Sequence, residues 1–126
     1  MNEFESKKEI IKQYFQSWID NKISVIEEYF SLNIIYSECY GPEYNGKEQV
    51  TRWFNDWQEE NKVLRWDIKR FFWQNNAVIV EWFFECETPL NKHSFDGVSI
   101  IEFDTSNKIT TVKEFQSKAE HYFPYT

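Results

Sequence analysis

The stretch Ala77-Val78-Ile79-Val80-Glu81-Trp82-Phe83-Phe84-Glu85-Cys86-Glu87 decides the fold class. Side chains along an extended strand point alternately to its two faces. Val78, Val80, Trp82, Phe84 and Cys86 therefore share one face, while Glu81, Glu85 and Glu87 share the other. An apolar row opposite an acidic one marks a strand with one face turned to a core, the pattern of antiparallel sheets. Three further stretches, 63–73, 94–104 and 108–117, are rich in Val, Ile, Thr, Phe and Trp. With 76–87 they make four strands, separated by turn-forming segments at Asn75-Asn76, Pro89-Leu90-Asn91 and Asp104-Thr105-Ser106-Asn107. The second half of the chain thus reads as a meander.

Upstream the period changes. Ile10, Ile11, Tyr14, Phe15 and Trp18 recur at helical spacing, and Val50, Trp53, Phe54 and Trp57 stand at i, i+3, i+4 and i+7. A short helix around Val25, Ile26, Tyr29 and Phe30 lies between them, and an extended run spans Ile34 to Tyr40. Three capping boxes are expected to start these helices, pairing Ser6 with Glu9, Ser24 with Glu27 and Asn45 with Glu48. Helix one is expected over about residues 6–20, and helix three ends near Glu60-Asn61. Helices first and strands last make an α+β architecture instead of an alternating one. No repeat or linker divides the chain, so residues 1–126 are read as a single domain with its core at about 7–117 and an aromatic tail at 118–126.

Composition narrows the function classes. With 14 basic and 21 acidic residues the net charge is −7, which disfavours phosphate backbones and anionic lipid, so neither nucleic acid nor membrane is an expected partner. Aromatic residues make 20% of the chain, enough to wall a core or a cavity with rings. Only three glycines are present, too few for a Gly-rich phosphate loop. Cys39 and Cys86 stand far apart without a CxxC partner, and His93 and His121 belong to no metal-binding pattern, so no metal and no cofactor is expected. His93, Ser94 and Asp96 do not have the arrangement of a triad. No apolar run reaches membrane-spanning length and the first residues lack a basic, apolar leader, which points to a cytoplasmic protein.

The order of elements, with the run Tyr29-Phe30-Ser31-Leu32-Asn33-Ile34-Ile35-Tyr36 followed by Gly46-Lys47-Glu48-Gln49-Val50, resembles the nuclear transport factor 2-like superfamily. Phe95-Asp96-Gly97-Val98-Ser99-Ile100-Ile101-Glu102-Phe103-Asp104, with Lys108-Ile109 and Lys113-Glu114-Phe115, resembles the closing strand pair of its SnoaL-like, polyketide cyclase-like branch. The resemblance covers about residues 7–117. It implies a cone-shaped fold, three N-terminal helices packed on a curved, mainly antiparallel sheet, with a pocket between them. It also implies acid–base chemistry without a cofactor, as in the isomerases, cyclases and hydratases of the superfamily, or ligand binding alone. An acidic residue on the last strand serves as general acid/base in the cyclases. The matching position is Glu114, a glutamate where the cyclases usually carry aspartate, with one more methylene of reach.

Enolisation needs a base beside an acidic C–H and a donor for the developing oxyanion. Glu114 is the candidate base if aromatic walls desolvate it, and Tyr36 or Tyr14 the candidate phenol donor. The candidate walls are Tyr14 and Trp18 from helix one, Trp53 and Trp57 from helix three, and Trp66 and Trp82 from the sheet. Glu38 follows Tyr36 by two residues and is expected on the same side as a second carboxylate; Ser99 adds a weak donor. Each has a plainer reading: the tryptophans as ordinary core, the phenols bonded to backbone carbonyls, Glu38 as an edge-strand charge and Glu114 as a surface group beside Lys113. The expected partner is a small apolar or ring-bearing molecule. A second copy of the chain is also an expected partner, making a homodimer, and the alternative function is a non-catalytic dimeric ligand-binding or protein-interaction module; the outer sheet face that carries Ile79 and Phe83 is the expected docking surface.

Overall fold

The computed structural model describes residues 2–125; Met1 and Thr126, the ends of the expected domain, lie outside the described residues. Three helices, α1 (Glu3–Asp20), α2 (Ser24–Tyr29) and α3 (Lys47–Glu60), accompany six strands. These are β1 (Phe30–Ser37), β2 (Glu43–Asn45), β3 (Lys62–Gln74), β4 (Ala77–Glu87), β5 (Lys92–Phe103) and β6 (Ile109–Lys118). They form one sheet in the order β2-β1-β6-β5-β4-β3. The last four strands are the expected meander, antiparallel throughout. The parallel pairing of β1 with β6 closes the fold by bringing residues 30–37 beside the far end of the chain.

Several local expectations are revised. None of the three capping boxes forms. α1 starts earlier, with Asn2 accepting the Glu5 amide at 2.8 Å, because Phe4 gains a stacking partner in Trp73 at 5.2 Å and so extends the helix past Ser6. α2 has no side-chain cap, and α3 begins from Gly46, at φ 93°, while Gln49 in place of Glu48 reaches back to the Asn45 amide at 2.7 Å. Phe30, read as helical, is the first residue of β1, and the strand ends at Ser37 instead of Tyr40. Burial explains the early start: Phe30 pairs with Ile109 and is enclosed in the core, so tertiary packing outweighs local helical spacing. The turns at Asn75 and Asn107 take left-handed φ values of 55° and 60°, which asparagine tolerates.

The core lies between the helices and the inner face of the sheet. Ile11, Phe15 and Trp18 of α1 and Phe54 of α3 meet Val78, Val80 and Trp82 of β4, the row that alternation assigns to the core. The Trp82 ring packs against Gly97 of β5, its neighbour across the strand pair, and its indole N–H donates to the Ser99 Oγ at 2.9 Å. A Cβ on residue 97 would come within 2.3 Å of the Trp82 ring and 2.6 Å of the Phe115 carbonyl oxygen. Glycine at 97 thus makes room for the largest inward-facing ring of β4. Gly97→Ala is expected to lower unfolding free energy by about 2 kcal/mol in urea titration, the cost of overpacking where a backbone oxygen cannot yield.

Candidate active site

The parallel β1–β6 pairing builds the site. Tyr36 stands opposite Val112, so Glu114, two residues on along the same face, is its diagonal neighbour. The Tyr36 hydroxyl donates to Glu114 Oε2 at 2.6 Å, and the Tyr14 hydroxyl, brought in by α1, donates to the Tyr36 oxygen at 2.8 Å. Both phenols are fully buried, and they spend their hydroxyls on each other and on the carboxyl, not on backbone carbonyls. The second oxygen of Glu114 makes no hydrogen bond among the described residues. Glu38, just past the end of β1, accepts from the Tyr44 hydroxyl at 2.9 Å. Tyr44 in turn stacks on Trp53 at 4.5 Å.

A cavity of about 310 Å³ opens above this floor. Trp18 of α1 and Trp53 and Trp57 of α3 wall one side, packed on one another at ring distances of 4.9 and 5.4 Å. Trp66 and Trp82 of the sheet wall the other, Trp66 being stacked on Phe15 at 3.8 Å. Tyr36, Glu38 and Glu114 complete the set of expected residues that the fold brings together. Two do not reach the cavity. Tyr14 stands behind Tyr36 in the hydrogen-bond chain, and Ser99, fully buried, is spent on the Trp82 indole. The indole nitrogens of Trp18 and Trp66 are enclosed without an acceptor among the described residues.

Sequence reading missed part of the lining. Phe84 and Cys86 continue the inward row of β4, and Phe95 shares the inward face of β5 with Gly97 and Ser99, so alternation alone places them. Cys39, Tyr40 and His93 border the cavity from the turn after β1 and the start of β5, where no periodic signal exists. His93, read as a solvated strand end, is indeed exposed, yet it stands at the rim. Among the described residues no three His, Cys, Asp or Glu side chains are grouped so as to hold a metal ion, and both cysteines are free.

The electrostatics follow from enclosure. Burial disfavours the charged carboxylate and pushes the Glu114 pKa up to about 8; the Tyr36 hydrogen bond pulls against this, and the nearby Glu38 charge adds to it. Burial also raises Glu38, with the Tyr44 hydrogen bond opposing. Tyr14 and Tyr36 are held well above the usual phenol range by burial and by the Glu114 charge. Burial, with the two carboxylates nearby, pushes Cys39 up to about 12, so it remains a thiol.

Residues 11–112 match the model of the SnoaL-like domain. The chain belongs to that family. No curated protein matches it in sequence. Among solved structures, an LEH-like epoxide hydrolase of Mycobacterium tuberculosis superposes with a TM-score of 0.79 at 12% identity, covering 88% of this chain and 78% of that one. A protein with a ketosteroid isomerase-like fold from Catenulispora acidiphila, in complex with trimethylamine, gives 0.76 at 15% identity over 86% and 85%. A protein from Mesorhizobium loti assigned as a SnoaL-like polyketide cyclase gives 0.75 at 19% identity over 91% and 99%. At these identities the likeness is one of fold. The SnoaL-like chain therefore has the helices-on-sheet architecture of the ketosteroid isomerase-like group, and among its described residues no helix is long and apolar enough to cross a membrane.

The raised Glu114 pKa carries a stability signature. Glu114 binds its proton more tightly in the folded chain than at the ordinary glutamate value of 4.5, so its contribution to stability is complete below pH 4.5 and is lost as pH rises through about 8. The difference in melting temperature between the parent and Glu114→Gln should fall steadily from pH 5 to pH 8.5 and level off above. Thermal melts followed by circular dichroism check it.

Proposed function

We propose that this SnoaL-like protein binds a small, largely apolar or ring-bearing molecule and moves a proton on it without a cofactor, in isomerase, cyclase or hydratase chemistry. The observation that supports this reading is the chain Tyr14–Tyr36–Glu114, which ends in a carboxyl on the wall of an aromatic cavity. At pH 7 a carboxyl with pKa near 8 is about one-tenth ionised. That ionised fraction is a stronger base than an ordinary glutamate, closer in basicity to a carbon acid next to a carbonyl.

In the ionised state Tyr36 donates to Glu114. Once Glu114 takes the proton from substrate carbon, the carboxyl no longer requires that donor, and the Tyr36 O–H turns to the developing enolate oxygen. Tyr14 keeps the Tyr36 oxygen satisfied throughout. The proton then returns from Glu114 to a different carbon, or the enolate carbon attacks a carbonyl carbon of the same molecule and the Glu114 proton goes to the alkoxide oxygen that this forms. A cytoplasmic setting and a single-domain organisation belong to the same proposal.

Glu114→Gln keeps an acceptor for Tyr36 and removes the base. Against any substrate found in a screen of ketones, epoxides and lactones, it should lower kcat by at least about 100-fold. Ligand affinity should change by less than tenfold, about 1.4 kcal/mol. The parent kcat/KM should rise with pH and level off above about 8. Unchanged turnover in the variant removes Glu114 from the mechanism. A screen without any conversion, in which ring-bearing ligands still raise the melting temperature, makes the protein a binding module.

We also propose that the outer sheet face joins two copies of the chain. Phe115 and Phe72 are 56% and 49% exposed there, on the face that also carries the half-buried Ile79 and Phe83, an apolar area of the kind that partners cover. Sedimentation should give a dimer at micromolar concentration and a monomer for Phe115→Asp, with the fold retained.

A further inference from the structure

We infer that the cavity takes an organic cation, a small tertiary or quaternary ammonium ion carrying a ring. Two carboxyl side chains, Glu38 and Glu114, face one enclosed space, and each has a phenol as its hydrogen-bond partner. Neither makes an ion pair among the described residues, and no Lys or Arg lines the cavity. Among the described residues the only basic side chain bordering it is His93, exposed at the rim. Elsewhere on the sheet some carboxylates have such a partner: Asp96 has Lys69 at 2.9 Å, Glu81 has Arg70 at 2.7 Å, and Asp67 has Arg65. The carboxyl pair is thus left without a counter-charge, Glu114 stays mostly protonated at pH 7, and a positive charge beside the two is the group that would let both ionise.

The walls suit that charge when it is organic. Ring faces attract cations through their quadrupole, tryptophan most strongly, and the attraction grows when water is excluded. Trp53 and Trp57 of α3 and Trp66 and Trp82 of the sheet bring four indoles to this space. The described residues offer no group of three His, Cys, Asp or Glu side chains for a metal ion, and hard divalent cations are bound by oxygen ligands, not by ring walls. An alkylated ammonium sheds its weak hydration easily and is recognised by aromatic walls and a carboxylate together. On binding, the cation lowers the cost of ionising Glu114, which then enters the complex as the carboxylate that the proposed proton transfer needs. The inference rests on the small-molecule reading above and narrows it to ring-bearing organic ammonium ions.

The test compares two probes of one shape, phenyltrimethylammonium and tert-butylbenzene, which differ in a single charged atom. Calorimetry and quenching of the cavity tryptophans should show the ammonium ion binding at least tenfold more tightly. Glu38→Gln and Glu114→Gln should each cut its affinity three- to tenfold and leave the neutral probe within twofold, with melting temperatures verifying that each variant is folded. Should one variant fail to fold, the other decides. Equal or tighter binding of tert-butylbenzene overturns the cation assignment and leaves the small-molecule cavity standing. Absence of binding by both probes overturns the assignment and the cavity reading together.

Discussion

The Tyr36 hydroxyl holds the site together. It donates to Glu114 across the β1–β6 pair and accepts from Tyr14 of α1, so one oxygen ties the first helix, the first strand and the last strand at a buried point. A half-buried carboxyl on the cavity wall without such a donor would lose a hydrogen bond, at a cost of about 1–3 kcal/mol. The parallel strand pairing, the position of α1 and the phenol chain are therefore mutually dependent. Moving any one of them leaves a polar group unpaired in an aromatic interior.

Aromatic packing sets the cavity's size in the same way. Trp18 of α1 packs against Trp53 of α3, and Phe15 of α1 stacks on Trp66 of β3, so rings from helices and sheet brace one another around the cavity. Gly97 and Ser99 draw Trp82 against the sheet, one by leaving room and the other by accepting its N–H. The space that remains is lined by aromatic side chains and by two carboxyls.

Much of this was legible in the chain itself, for identifiable reasons. Period-two alternation in 77–87 located β4 and its inward row, and i, i+3, i+4, i+7 spacing located α3 with Trp53 and Trp57 facing inward. Likeness to the SnoaL-like branch picked out Glu114, which lines the cavity beside the phenol also singled out. Local rules failed where packing outweighed them. The expected caps at Ser6, Ser24 and Asn45 gave way to Phe4 stacking and to the turn at Gly46, and Phe30 left its helix for the strand. Tyr14 has the right chemistry and the right helix face, yet its hydroxyl serves Tyr36 and not the cavity.

Sequence by itself determined the elements and their inward faces, because strand and helix periods are properties of neighbouring residues. It also determined the acidic, ring-rich character of the chain. Only the tertiary structure decided that β1 runs parallel beside β6, since a contact between residues 36 and 114 leaves no local trace. From that pairing follow the enclosure of Glu114, the direction of the phenol chain, the meeting of Glu38 with Glu114 and the exclusion of Ser99. Each depends on distances between side chains far apart in sequence, which only the folded chain sets.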